Sequence, residues 1–345
     1  KVMFKKAMHL FITVLCILSV AVPNCNAASD EDLQIVQAVP EGARIKVFFE
    51  VVDKDGSRIK TLEKDKLAAT LGNKSVSVSS TANFSPSGEP IAYVFLIDVS
   101  KSIHGQQLKN IQEIMKGITA ALKDKDCAAI ITFGEAVKLL EPFTSDKSKL
   151  DKSIESIEMQ DKKTNLYLGI SEALQSVSPE KKDIPAKRVL IVMSDGNEVS
   201  TDGITKDEVY AKIEKVRVPI YTVGFVSSAS GEKAIEYSKI LGSFSRESFG
   251  QNYIWGVDGK NAADISKAIR DRIGASFVGD IDCKDFKQDG ASYYLKLKYS
   301  FASGITAEDG IDVRMDIQPE VKEQEKTDKE SPTKKDASED GTSKT

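Results

Sequence analysis

The chain has 345 residues, of which 48 are Lys or Arg and 52 Asp or Glu, for a formal net charge of −4. A mildly acidic chain is no obvious ligand for nucleic acid or for an anionic membrane surface. Two histidines and four cysteines are too few for a histidine-rich metal site or a disulfide scaffold.

Residues 1–27 set lysines ahead of an apolar core from Leu10 to Val22, then small and polar residues around Ala27. That is the three-part pattern of a cleaved signal peptide, and its core is short for a membrane span. A secreted or cell-surface protein is expected, with membrane association only through the leader or an anchor outside this sequence. His104, Cys127 and Cys283 remain beyond the leader. Cys127 opens the apolar run "CAAIITF" and reads as a buried free thiol.

Residues 29–88 contain "RIKVFFEV", in which Ile45, Val47, Phe49 and Val51 alternate mostly with polar residues. Period two predicts a half-exposed antiparallel strand. The following "DKDG", Asp53 to Gly56, reads as a hairpin turn without the ligand spacing of an EF-hand. From 89 to 276 the pattern changes. The wholly apolar runs "IAYVFLI", "CAAIITF", "RVLIVMS" and "VPIYTVGF" suit strands covered on both faces. Between them lie helical stripes through Leu108, Ile111, Met115, Ile118 and Leu122, through Leu150, Ile154 and Ile157, through Val209, Ile213 and Val216, and through Ile265, Ala268, Ile269 and Ile273. Thr205 and Glu208 form a capping box before the third. This alternation predicts an α/β fold, a doubly wound and mostly parallel sheet. Residues 277–318 return to period two in "YLKLKYSF" and "GIDVRMDI". Neither flank carries many strands, so 29–88 and 277–318 are expected to form one small β-sandwich interrupted by the α/β domain. Residues 319–345 have almost no aliphatic side chains and are expected to be a disordered charged tail.

The chemistry gathers where apolar runs end. Asp98, Ser100 and Ser102 follow the first run in "VFLIDVSKSIHG", and Asp195 and Gly196 follow the third in "SDGNE". Ligands of open parallel sheets bind beyond the carboxyl ends of strands, so both acids are predicted at one edge. Thr164 in "DKKTNLYLGI" is placed within reach at the start of another helix, where the bland alternative is a helix N-cap. Two adjacent carboxylates repel, and a divalent cation relieves that repulsion. Oxygen donors without His or Cys favour Mg²⁺, with Mn²⁺ or Ca²⁺ as alternatives.

In these residues the sequence resembles the von Willebrand factor A domain family. "DVSKS" matches its Asp-x-Ser-x-Ser, "TNLYLGI" its threonine loop and "SDGNE" its Asp-Gly loop, in the family's order. The likeness covers about residues 91 to 276. It implies a metal-ion-dependent adhesion site in which Asp98, Ser100, Ser102, Thr164 and Asp195 hold the cation and an open position accepts an Asp or Glu of a protein partner. Val99 and Lys101 depart from the small residues often found between the ligands, and Lys162 and Lys163 precede the threonine. Lys101, Lys163, His104 and Asn197 flank the constellation and are expected to face the partner.

His104 beside two serines invites a catalytic reading, but a triad also needs an oriented base and an oxyanion site, and the serines are better explained as ligands. No phosphate-binding glycine loop occurs, so no nucleotide is expected. The chain is therefore read as a binding or adhesion protein and not an enzyme. The alternative is an envelope assembly or scaffold protein in which the metal is structural.

Overall fold

A computed structural model describes residues 31–103, 105–198, 203–225, 232–256 and 260–316. The leader, His104 and the charged tail lie outside the described residues. The N-terminal flank supplies β1 (Asp32–Glu41), β2 (Arg44–Val52), β3 (Leu67–Leu71), β4 (Lys74–Val76), β5 (Val78–Asn83) and the one-turn helix α1 (Phe84–Ser87). The central segment runs β6 (Ile91–Asp98), α2 (Gly105–Thr119), β7 (Cys127–Phe133), β8 (Val137–Thr144), α3 (Lys147–Glu155), α4 (Leu166–Ser176), β9 (Lys187–Ser194), α5 (Lys206–Val216), β10 (Ile220–Gly224), α6 (Glu232–Glu247), β11 (Asn252–Ile254) and α7 (Ala262–Gly274). The chain then returns through β12 (Phe277–Asp282), β13 (Ser292–Ser300) and β14 (Thr306–Arg314).

The central sheet has the order β11-β10-β9-β6-β7-β8 and is parallel except for β8, which pairs antiparallel with β7. Its interior strands are buried along their length because helices cover both faces. One face packs Phe95, Ile97 and Ile191 against Ile111 and Met115 of α2 and Ile265 and Ile269 of α7. The other packs Leu96 and Val192 against Leu166 and Ile170 of α4 and Ile213 of α5. Edge strand β8, "VKLLEPFT", leaves Leu139 62% exposed and carries Lys138, Glu141 and Pro142, so it lacks the apolar signature of its neighbours. Charges and proline on an edge discourage pairing with another chain.

The flanks build two four-stranded sheets, β1-β2-β12-β5 and β14-β13-β3-β4, each drawing strands from both ends of the chain. Phe49, Ile35, Leu71, Leu295 and Phe277 meet in the core between them. The first sheet also presses its outer face on the central domain, where Val39, Phe48 and Val278 join Tyr93 and Ile273. This corrects the expectation that "RIKVFFEV" is half-exposed: Phe48 is fully buried and Glu50 is 4% exposed, because the second face of β2 is covered too. The "DKDG" segment does form a tight turn, Gly56 N–H donating to the Asp53 carbonyl at 3.0 Å. Cys127 and Cys283 are free, and burial pushes both thiols up to about 11. Among the described residues no helix is long and apolar enough to cross a membrane.

Candidate metal centre

After β6 the chain builds outward through β7 to β8, then crosses to the other side of β6 to lay down β9. The reversal of direction opens a crevice at the carboxyl ends of β6 and β9. Asp98 is the last residue of β6, and Asp195 directly follows β9. Ile97 lies in register with Met193, so the two strands deliver their acids side by side.

Each acid is fastened locally. Asp98 Oδ1 accepts the backbone N–H of Ser100 at 2.9 Å, and its Oδ2 accepts the hydroxyl of Ser194 at 2.7 Å. The Ser194 oxygen accepts in turn from Gly196 N–H at 2.9 Å. Asp195 Oδ1 accepts from Asn197 N–H at 3.0 Å. Gly196 turns the chain at φ +81, and a Cβ there would stand 2.5 Å from the Tyr237 carbonyl oxygen on α6, so glycine is demanded twice. The hydroxyls of Ser100 and Ser102 lie 2.8 Å apart.

The threonine loop is laced to this turn through its backbone. Gln160 and Asp161 donate to the Val99 carbonyl at 3.0 and 3.1 Å, and Lys101 N–H donates to the Asp161 carbonyl at 2.8 Å. Asn165 N–H donates to the carbonyl of Gly134 at the end of β7. Thr164 within this lace is 2% exposed. It is not the helix N-cap: Asn165 takes that position without a side-chain cap, and Glu198 accepts the Tyr167 N–H at 2.9 Å instead. Glu198 thus ties the loop after β9 to the first turn of α4.

Burial pushes the Asp98 carboxyl up to about 6; hydrogen bonds from Ser100 and Ser194 oppose the rise, and the nearby Asp195 charge adds to it. Among the described residues no cationic side chain forms an ion pair with either acid. Asp195 Oδ2 is buried without a hydrogen-bond partner. A buried carboxylate oxygen with nothing to bind is costly unless a cation completes it. The carboxylates of Asp98 and Asp195 and the hydroxyls of Ser100 and Ser102 are hard oxygen donors of the kind that suits Mg²⁺, Mn²⁺ or Ca²⁺, with Thr164 buried in the adjoining loop. Lys101 and Lys163 stand exposed at the rim, Asn197 is half-buried against Asp195, and His104 lies outside the described residues.

Sequence reasoning had not singled out Ser194 or Glu198. A hydroxyl directly before the Asp-Gly pair was the available signal for the first. Glu198 offered none, since its bond to Tyr167 joins positions 31 apart in sequence.

Residues 94–254 match the family model of the von Willebrand factor type A domain. An uncharacterised protein of Borreliella burgdorferi is 28% identical over 168 residues, 46% of this chain and 47% of that protein. Inter-alpha-trypsin inhibitor heavy chain H1 of Sus scrofa is 26% identical over 145 residues, 38% of this chain and 16% of that protein. The matches thus span less than half of these curated relatives. A von Willebrand factor type A structure from Catenulispora acidiphila aligns with 83% of this chain and 73% of its own at 10% identity and a TM-score of 0.44.

Proposed function

Residues 94–254 are a von Willebrand factor type A domain, a kind of domain that commonly mediates protein–protein interaction, and from that premise we propose a secreted or cell-surface adhesion protein. In this reading Asp98, Ser100, Ser102, Thr164 and Asp195 hold a divalent cation, Mg²⁺ first, which takes a carboxylate of a partner protein. The observation that carries it is the buried, unbonded Asp195 Oδ2 beside the buried Asp98.

When bound, the cation supplies a Lewis-acidic attachment point for an acidic side chain. The chain's own residues prepare its seat. Ser194 holds Asp98 Oδ2 and the Asp-Gly turn in one orientation. The bonds among Val99, Lys101 and Asp161 hold the serine turn against the threonine loop. Neutral hydroxyl donors leave part of the cation's charge uncompensated, and the exposed Lys101 and Lys163 add positive charge at the mouth. The role is binding without turnover.

Calorimetric titration of Mg²⁺ and Mn²⁺ into chelator-stripped protein, beside Asp98→Ala, tests the seat. Saturable binding lost in the variant is expected. Folded wild type that takes up neither ion would sink the reading. A captured partner that binds equally well in chelator would remove the cation bridge and leave a scaffold role.

A further inference from the structure

A cavity of about 540 Å³ opens on the seam between the sandwich and the central domain, away from the strand ends that carry the acids above. Arg58, just beyond the turn after β2, lines it from one side; Arg246 on α6 and Arg272 on α7 line it from the other. No Asp or Glu belongs to its lining, whose other polar side chains are neutral, Gln34 and Asn252 among them. This is a local inversion in a chain of net charge −4. A second interdomain cavity, of about 780 Å³, shows the ordinary pattern, with Glu180, Asp312 and Asp316 set among Lys182, Lys215 and Arg314.

Beneath the arginines lies one carboxylate. Glu50 is 4% exposed; both terminal nitrogens of Arg272 donate to it, and Arg58 Nε donates to its Oε2 at 2.7 Å. One acid therefore serves two guanidinium groups. The two terminal nitrogens of Arg58 have no partner among the described residues. Arg246 is 74% exposed and stands 3.5 Å from Glu247, its sequence neighbour. Asn252 spends its carbonyl oxygen on Thr222 and keeps its amide hydrogens. The wall between Arg246 and Asn252 is set by Phe249, a non-glycine residue at φ 61, and by Gly250, packed so tightly on the Ile220 carbonyl that no Cβ fits. Guanidinium groups outnumber carboxylates here.

We propose that this cavity binds a phosphate-bearing ligand through Arg58 and Arg246, seated over the Glu50–Arg272 pair. Planar guanidinium forks match the paired oxygens of a phosphate, and charge-assisted bonds of this kind are stronger than neutral ones. Because its arginines come from both the sandwich and the central domain, the ligand stabilises their junction, and binding raises the unfolding temperature. A free phosphate compound and a phospholipid headgroup offer the same chemistry.

The test uses the full chain in excess EDTA, which keeps it apart from the cation site. Inorganic phosphate is titrated at constant ionic strength against wild type, Arg246→Gln and Arg58→Gln, reading heat and melting temperature. Phosphatidylglycerol vesicles are run in parallel against neutral phosphatidylcholine vesicles. Saturable phosphate binding that raises the melting temperature and weakens at least about tenfold in Arg246→Gln supports the site and a free ligand. Vesicle binding lost in Arg246→Gln, without a response to free phosphate, supports it with a headgroup as ligand. Arg246 is exposed, so its variant keeps the fold, as circular dichroism will verify. No saturable response to either probe, or equal responses in wild type and both variants, overturns the proposal.

Discussion

Lys187, the first residue of β9, is 2% exposed where the central sheet rests on the sandwich. Its ammonium group lies 4.9 Å from the Phe48 ring centre and 5.4 Å from that of Phe84, and it donates to Ser276 Oγ at 3.3 Å. Burial brings this lysine from 10.5 down to about 7; the Glu50 charge opposes the fall and the Arg272 charge aids it. Between those two values the unfolded chain holds a proton that the folded chain has released, so stability rises with pH across that window. At about 1.36 kcal/mol per pKa unit, the penalty is about 4 kcal/mol at pH 7 and about 2 kcal/mol at pH 9. Wild type should therefore gain about 2 kcal/mol from this one group between pH 7 and 9. Lys187→Met keeps an unbranched side chain one atom shorter, able to pack against the rings, and removes the charge. It should be about 4 kcal/mol more stable than wild type at pH 7, since the lowered pKa already contains whatever the rings contribute to the ammonium form. The difference should narrow to about 2 kcal/mol at pH 9, where the folded lysine is neutral. Urea unfolding of both proteins at the two pH values checks this. Parallel pH profiles, or a variant less stable at pH 7, would refute the argument that a desolvated ammonium group strains the seam.

Further outcomes follow from the site. Ser194→Ala leaves Asp98 Oδ2 without its donor and Gly196 N–H without its acceptor, and should cost about 1–3 kcal/mol in chemical denaturation. The same variant should weaken Mg²⁺ by about 10–100-fold in calorimetry, since it removes support behind the ligands. Gly196→Ala drives a Cβ toward the Tyr237 carbonyl at a positive φ and should lower stability by about 1–3 kcal/mol, with a disturbed Asp-Gly turn and weaker cation uptake. Glu50→Gln leaves Arg272 buried without its counter-charge and should destabilise by about 3–5 kcal/mol in urea titration. Saturating Mg²⁺ should raise the wild-type melting temperature and leave that of Asp195→Ala unchanged.

The three donor stretches were legible because each acid or hydroxyl breaks an apolar or periodic pattern at a strand or helix end. Asp98 and Asp195 each follow a largely apolar run, and the structure adds that β6 and β9 are neighbours. Helix α6 was missed because serine and glycine dilute its stripe; among its described side chains, Leu241 and Phe244 are the large, fully buried ones. Strand β8 was missed because an edge strand meets solvent and its residues carry little apolar pattern.

The sequence by itself determined what depends on near neighbours: the strand runs, the helix stripes, the capping box at Thr205 and the order of the donor loops. Periodicity and caps act within a few residues, so they leave a local record. Tertiary structure alone decided which faces are covered twice, as Phe48 and Glu50 show on β2. It also decided which charges share the seam, where Glu50 meets Arg272 across 222 positions of chain and Lys187 sits between two aromatic rings. Such contacts are selected by the packing of whole sheets, and the residues that make them bear no mark in their own neighbourhoods.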